Sequence, residues 1–289
     1  MTGLLREADF DPWVENLCEP HYAGGLGRPS LPPGVYFRML LVGYFEGINS
    51  QRGIAWRCSD SLSLRDFLGL PPDQESPDHS SLSYIRNRLP LETHQAVFVR
   101  ILAFAEEKKL LKGKTVAVDS TTLEANAAMK SIIRRDTGEN WNDYLVRLMQ
   151  EQGLIAAGDQ RPSDEELRKF DKARKNKKDS NDEWQSPTDP DSRIARMKDG
   201  TTHLAYKAEH VIDLDTEIIL AAEIHHADAH DAATLEDSLH QAQINQQEAG
   251  SEQEIKDAVA DKGYHSTETI PNLDQYTTHP SYVAEPPHP

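Results

Sequence analysis

The chain has 289 residues, 37% of them hydrophobic, which fits one large domain or two modest ones around a packed core and excludes wholesale disorder. Its 31 Lys and Arg against 48 Asp and Glu give a formal charge of −17, which argues against a basic protein that coats nucleic acid through its overall field. Two cysteines (Cys18 and Cys58), an N-terminus that turns acidic early and a longest apolar run of only Met39–Phe45 exclude a disulfide scaffold, a signal peptide and a membrane span, so a soluble cytoplasmic protein is expected.

In chain order, Pro32-Pro33 open a helix in which Val35, Met39, Leu40, Val42 and Phe45 recur at helical spacing. Ser50 is placed to cap a helix to about Arg57 and Ser61 another ending near Gly69, before Pro71-Pro72-Asp73 forces a loop. Asp78 or Ser80 caps a helix over Ser81–Leu89. A longer helix follows from Leu91 to about Leu111, closed by Gly113.

The texture then changes. Thr115-Val-Ala-Val-Asp119 reads as a strand ending in a carboxylate and hydroxyls, and strands at about 203–214 and 217–225 are joined by the short link Asp213–Thr216. Asp231 caps a helix to about Gln246, and strands at Glu254–Ala260 and Ser281–Ala284 complete an order suited to a mixed sheet with helices on its faces. Residues 126–200 interrupt that core. They are read as helical over Ala125–Arg135 and Trp141–Gln150, then as polar, with eight cations against four acids between 161 and 178, then as loop over Asn181–Asp191. Residues 201–289 hold three cations and 17 acids, so an anionic partner belongs mainly to the first two thirds.

Asp119 and Asp261 each follow a predicted strand, where an open α/β sheet presents side chains to a ligand crevice. Two carboxylates brought together there repel unless a cation intervenes, and hard divalent ions take oxygen ligands. On the residues alone, each aspartate equally starts a turn. A second cluster, His225, His226, Asp228, His230 and Asp231, reads either as ligands for zinc or as an exposed turn before a capped helix. On the helix at 80–88, Ser80, Ser81, Ser83, Tyr84, Arg86 and Arg88 face away from Leu82, Ile85 and Leu89 and suit phosphates or base edges in a helix-turn-helix-like frame.

Val116-Ala-Val-Asp119-Ser-Thr-Thr and Val259-Ala-Asp261-Lys-Gly-Tyr264 resemble the first and second acidic motifs of bacterial insertion-sequence transposases with a DDE, ribonuclease-H-like catalytic domain. Ser120–Ala128, Asp189–Gly200 and His203–His210 are similar to one subgroup of that family, and residues 28–90 to its helical N-terminal domain. The resemblance implies an all-α helix-turn-helix-like DNA-binding domain over 1–112 and an α/β catalytic domain over 113–289, with a helical and basic insertion at about 126–200. It implies Asp119 and Asp261 as catalytic ligands of two Mg²⁺ or Mn²⁺ ions, with Lys262 and Tyr264 beside them at the DNA. The partners implied are element ends and target DNA, in a homodimer or synaptic complex of the bacterial cytosol or nucleoid.

The family's third acid, a Glu on a helix beyond the last strand, has no counterpart here. Glu285 lies only 24 residues after Asp261, and Pro286-Pro287 bar a helix around it. The expectation is therefore a C-terminally truncated transposase with impaired turnover. The alternatives are a non-catalytic DNA-binding remnant that competes with an intact enzyme, and an unrelated metal-dependent nuclease.

Overall fold

The computed structural model describes residues 2–22, 30–71, 73–156, 158–174, 180–197, 199–265 and 282–283. Lys175, Lys177 and Lys178 of the basic run, and Glu285, lie outside the described residues. The chain divides into two compact units, Met1–Lys108 and Lys109–Pro289.

The first unit is all-α, with helices α1 (Thr2–Glu7), α2 (Phe10–Cys18), α3 (Pro33–Glu46), α4 (Gln51–Asp60), α5 (Leu62–Phe67), α6 (His79–Arg88) and α7 (Leu91–Glu107). Three helix starts follow the capping chemistry. Ser50 accepts the Gly53 N–H at 3.1 Å and Ser61 the Leu64 N–H at 3.4 Å. Asp78 accepts the Ser80 N–H at 2.8 Å, which decides between the two candidate caps of α6.

Helices α1 and α2 have no counterpart in the sequence reading, which begins at Pro32. They supply Leu5, Phe10, Val14 and Cys18 to a core shared with Tyr36, Met39, Leu82 and Ile85. Buried Arg38 ties this core together, donating to Asp11 at 3.0 and 2.6 Å and to the Phe67 carbonyl at 2.5 Å. Helix α7 stops at Glu107 rather than near Leu111, because Lys109 turns to φ 59°.

In the second unit, β5 (Thr202–Asp213) is the hub of a six-stranded sheet. One edge takes β1 (Thr115–Glu124), antiparallel, and the other takes β4 (Arg193–Arg196) and β6 (Ile219–His226) in succession. Beyond β1 lie β7 (Asp257–Ala260) and β8 (Tyr282–Val283), both parallel to it. Helix α10 (Asp231–Glu248) forms the crossover from β6 to β7 and packs on β5 and β6, burying Leu235, Leu239 and Ala242. Three antiparallel strands followed by parallel strands behind a crossover helix is the ribonuclease-H-like arrangement.

The insertion differs from expectation at its start. Residues 125–135 are not a helix. They form a single 3-10 turn, Met129–Ser131, and then β2 (Ile133–Arg134), which pairs with β3 (Trp184–Gln185) inside the stretch read as loop. The cause is Trp184, 1% exposed, whose ring sits 4.9 Å from Trp141 and 5.2 Å from Tyr144, with the Arg134 guanidinium 5.6 Å above it. Burial of Trp184 against two partly buried rings outweighs a weak helical preference. Helices α8 (Trp141–Glu151) and α9 (Asp164–Ala173) complete the insertion, the latter opened by a Ser163–Glu166 capping box. Among the described residues, no helix is long and apolar enough to cross a membrane.

Candidate active site

Strands β1 and β7 run parallel, and their last registered pair is Val118 with Ala260. Asp119 and Asp261 are the next residue on each, so two carboxylates 142 positions apart stand flush on neighbouring strands, about 4.8 Å apart in backbone spacing. Asp119 does not end its strand, as the sequence reading has it. Strand β1 continues to Glu124 because β5 goes on pairing with it, Asp119 facing His210 and Glu124 facing Ala205. Only the β7 side stops, which opens the sheet beside Asp119.

Both aspartates are exposed. Asp119 Oδ1 accepts the N–H of Ser120 at 2.8 Å, and Asp261 Oδ1 accepts that of Gly263 at 2.7 Å. The second oxygen of each carboxylate makes no hydrogen bond among the described residues. Two exposed carboxylates on neighbouring strands, each with one oxygen unbonded among the described residues, fit a hard divalent ion, which commonly takes one or two protein carboxylates and completes its shell with water and phosphate.

The chain leaves Asp261 in a single 3-10 turn, Lys262–Tyr264. Lys262 is exposed, whereas Tyr264 is 1% exposed and donates its hydroxyl to Glu209 at 2.8 Å. Burial, with the Glu209 carboxylate beside it, pushes the Tyr264 phenol far above its ordinary range. Tyr264 therefore faces the interior. Glu209, fully buried, also accepts Thr234 Oγ1 at 2.9 Å and Ser238 Oγ at 2.5 Å from α10.

On α6, Tyr84 is 71% exposed, and Ser80, Arg86 and Arg88 are exposed too. Ser81 is half-buried. The Ser83 hydroxyl donates to Gln51 on α4, and Arg88 stacks 4.8 Å over the Tyr22 ring while donating to Ser30 at 2.9 Å. These two tie α6 to its own unit, and Ser80, Tyr84 and Arg86 present the open face. In the insertion, Arg161 pairs with Asp143 at 2.6 Å, Lys169 with Glu165 at 2.9 Å and Arg174 with Asp171 at 3.0 Å. Three of the five described cations of that run are thus matched internally.

The histidine cluster disperses. His225 Nε2 lies 3.8 Å from Glu209, His226 meets Arg193 at 3.3 Å and Asp228 accepts from Asn181 at 3.0 Å. Among the described residues, no group of three or more His, Cys, Asp and Glu is arranged to hold a metal ion. Asp231 is not the helix cap either: His230 takes that position, with no capping side-chain bond, because the Asp231 carboxylate is engaged by Ser120 Oγ at 3.2 Å and Lys207 Nζ at 3.1 Å.

Lys207 and Glu209 were not singled out in the sequence. A signal was present: two charged residues at i and i+2 on an apolar strand place both charges on one buried face.

The family description "Transposase domain (DUF772)" matches residues 5–88, and "Transposase DDE domain" matches residues 111–281. No curated protein matches the chain. Among solved structures, a piggyBac transposase synaptic complex with hairpin DNA is similar over 96% of this chain and 48% of that one, at 7% identity and a TM-score of 0.36. The chain thus spans about half the length of that structure, and so distant a likeness adds no argument. The DDE match covers more than half of the chain and spans both Asp119 and Asp261, and on that ground the chain belongs to the DDE transposases of insertion sequences.

Proposed function

We propose that this chain acts on the ends of an insertion element, binding them through its helical unit and cleaving and joining DNA strands at Asp119 and Asp261. The observation that carries the reading is the register of β1 and β7, which stands the two carboxylates side by side within the DDE-domain match. Asp119 and Asp261 would hold Mg²⁺ or Mn²⁺, two ions in a complete site. When bound, such ions activate the attacking oxygen and stabilise the leaving one in phosphoryl transfer. Lys262, exposed beside Asp261, supplies a cation for a backbone phosphate, and the 3-10 turn aims it outward. Ser80, Tyr84 and Arg86 make the phosphate and base contacts of α6, while Ser83 and Arg88 hold that helix in place.

The test is cleavage of labelled element ends with Mg²⁺ or Mn²⁺, beside a gel shift at several salt concentrations. End-specific cleavage that Asp119→Asn and Asp261→Asn each abolish supports the reading. Cleavage undiminished in either variant overturns it. Salt-sensitive binding without cleavage identifies a DNA-binding chain that competes with an intact transposase, and cleavage indifferent to end sequence identifies a general nuclease.

A further inference from the structure

Beneath Asp119 and Asp261 runs a connected path of side-chain hydrogen bonds with no part in the proposed reaction. Ser120, which follows Asp119, donates to Asp231 Oδ1 at 3.2 Å. The same oxygen accepts from Lys207 Nζ at 3.1 Å, and Lys207 donates onward to Thr234 Oγ1 at 2.7 Å. Thr234 donates to Glu209 Oε2 at 2.9 Å, and that oxygen also receives the Tyr264 hydroxyl at 2.8 Å, three residues after Asp261. One end of the path is covalently next to the first aspartate. The other end anchors the turn that carries the second.

Three of the members are buried, Lys207 at 6% exposed, Tyr264 at 1% and Glu209 at 0%, while the Asp231 side chain, 32% exposed, has one oxygen taken by Ser120 and Lys207. Holding a carboxylate and an ammonium in the interior carries a large desolvation cost, and a fully paired buried network contributes little net stability over an apolar core of the same volume. What it does provide is a unique arrangement, since every donor must meet its acceptor. Glu209 collects three hydroxyl donors from two elements, α10 and the turn after β7, so it fixes both against β5. Asp231 couples the turn again, because Gly263 packs against its carboxylate.

We infer that Lys207, Glu209, Asp231 and Tyr264 are positioning residues that set the separation of the Asp119 and Asp261 carboxylates, and with it the affinity for divalent ions; the inference rests on the metal role proposed above. Outer partners that orient metal-binding groups typically change affinity about 10- to 100-fold when removed.

The experiment is a Mn²⁺ titration of the full chain, followed by the EPR signal of the free ion, beside thermal unfolding. Tyr264→Phe keeps the ring in the core and deletes one donor; it is expected to weaken Mn²⁺ binding about tenfold or more, as is Glu209→Gln. Thr234→Ser, which keeps the hydroxyl, is expected to retain affinity, and Thr234→Val to lose it. Leu220→Ala, in the same unit's core but off the path, is expected to lower Tm without changing affinity. If Tyr264→Phe and Glu209→Gln bind as wild type while Asp119→Asn and Asp261→Asn do not bind, the positioning inference is overturned and the metal role stands. If Leu220→Ala loses affinity in the same proportion to Tm as Tyr264→Phe, the effect is general loosening, and the inference is equally overturned. Binding that the aspartate variants leave unchanged, or no binding by the wild type, removes the metal role and the inference with it.

Discussion

Gly263 lies so close to Asp231 that an added Cβ would stand 2.8 Å from Asp231 Oδ2 and 3.0 Å from Asp261 Oδ1. The Asp231 carboxylate is not free to yield, since Ser120 and Lys207 hold it. Here the glycine is needed for close approach rather than for an unusual backbone angle. Gly263→Ala is expected to displace the turn and cut cleavage about 100-fold, the usual effect of a ~1 Å misplacement at a reacting centre. Single-turnover cleavage checks this, with circular dichroism reporting retention of the fold.

Asp213, fully buried at the end of β5, accepts the N–H groups of Lys112 at 2.9 Å, Gly113 at 2.8 Å and Asp215 at 2.9 Å. Burial works against its ionised form, but these donors outweigh it and hold the carboxyl below its usual 3.8. With the folded value depressed, the stabilisation is complete above pH 3.8 and is lost as pH falls below it through the folded value. Asp213→Asn should therefore be less stable than wild type at neutral pH by about 2 kcal/mol, with the gap narrowing below pH 3.8. Urea unfolding between acid and neutral pH measures both.

Trp184→Ala removes the ring against which Trp141, Tyr144 and Arg134 pack. A loss of about 3–5 kcal/mol is expected for a buried tryptophan, concentrated in the insertion because β2 and β3 form a two-stranded sheet separate from the main one. Hydrogen exchange should show residues 132–150 losing protection before the main sheet does. Simultaneous loss in β1 and β5 would contradict the prediction.

On α6, Arg86→Ala is expected to weaken binding to element ends and lower the salt slope of log affinity by about 1, as for one lost phosphate contact. Tyr84→Ala should weaken binding without changing the slope, since the ring carries no charge. Arg88→Ala should instead reduce the stability of the helical unit, because its guanidinium is already stacked on Tyr22 and bonded to Ser30. Gel shifts at several salt concentrations and thermal unfolding separate the three.

Features governed by near neighbours could be read from the sequence. Ser50, Ser61 and Asp78 announce their helices because capping acts within two or three residues, and the β5–β6 hairpin shows in the short link Asp213–Thr216. Asp119 and Asp261 stood out because each carboxylate follows an apolar, strand-forming run. Tertiary contacts decided the rest. Residues 125–135 became turn and strand because Trp184, about 50 positions later, buries its ring against the insertion. Asp231 left the capping role because Ser120, 111 positions earlier, reaches its carboxylate. The flush placement of Asp119 and Asp261, and the buried path joining Ser120 to Tyr264, exist only once β1, β5, β7 and α10 are packed. Local preferences specify which elements form, but pairing between distant strands and the satisfaction of buried charge specify where their side chains meet.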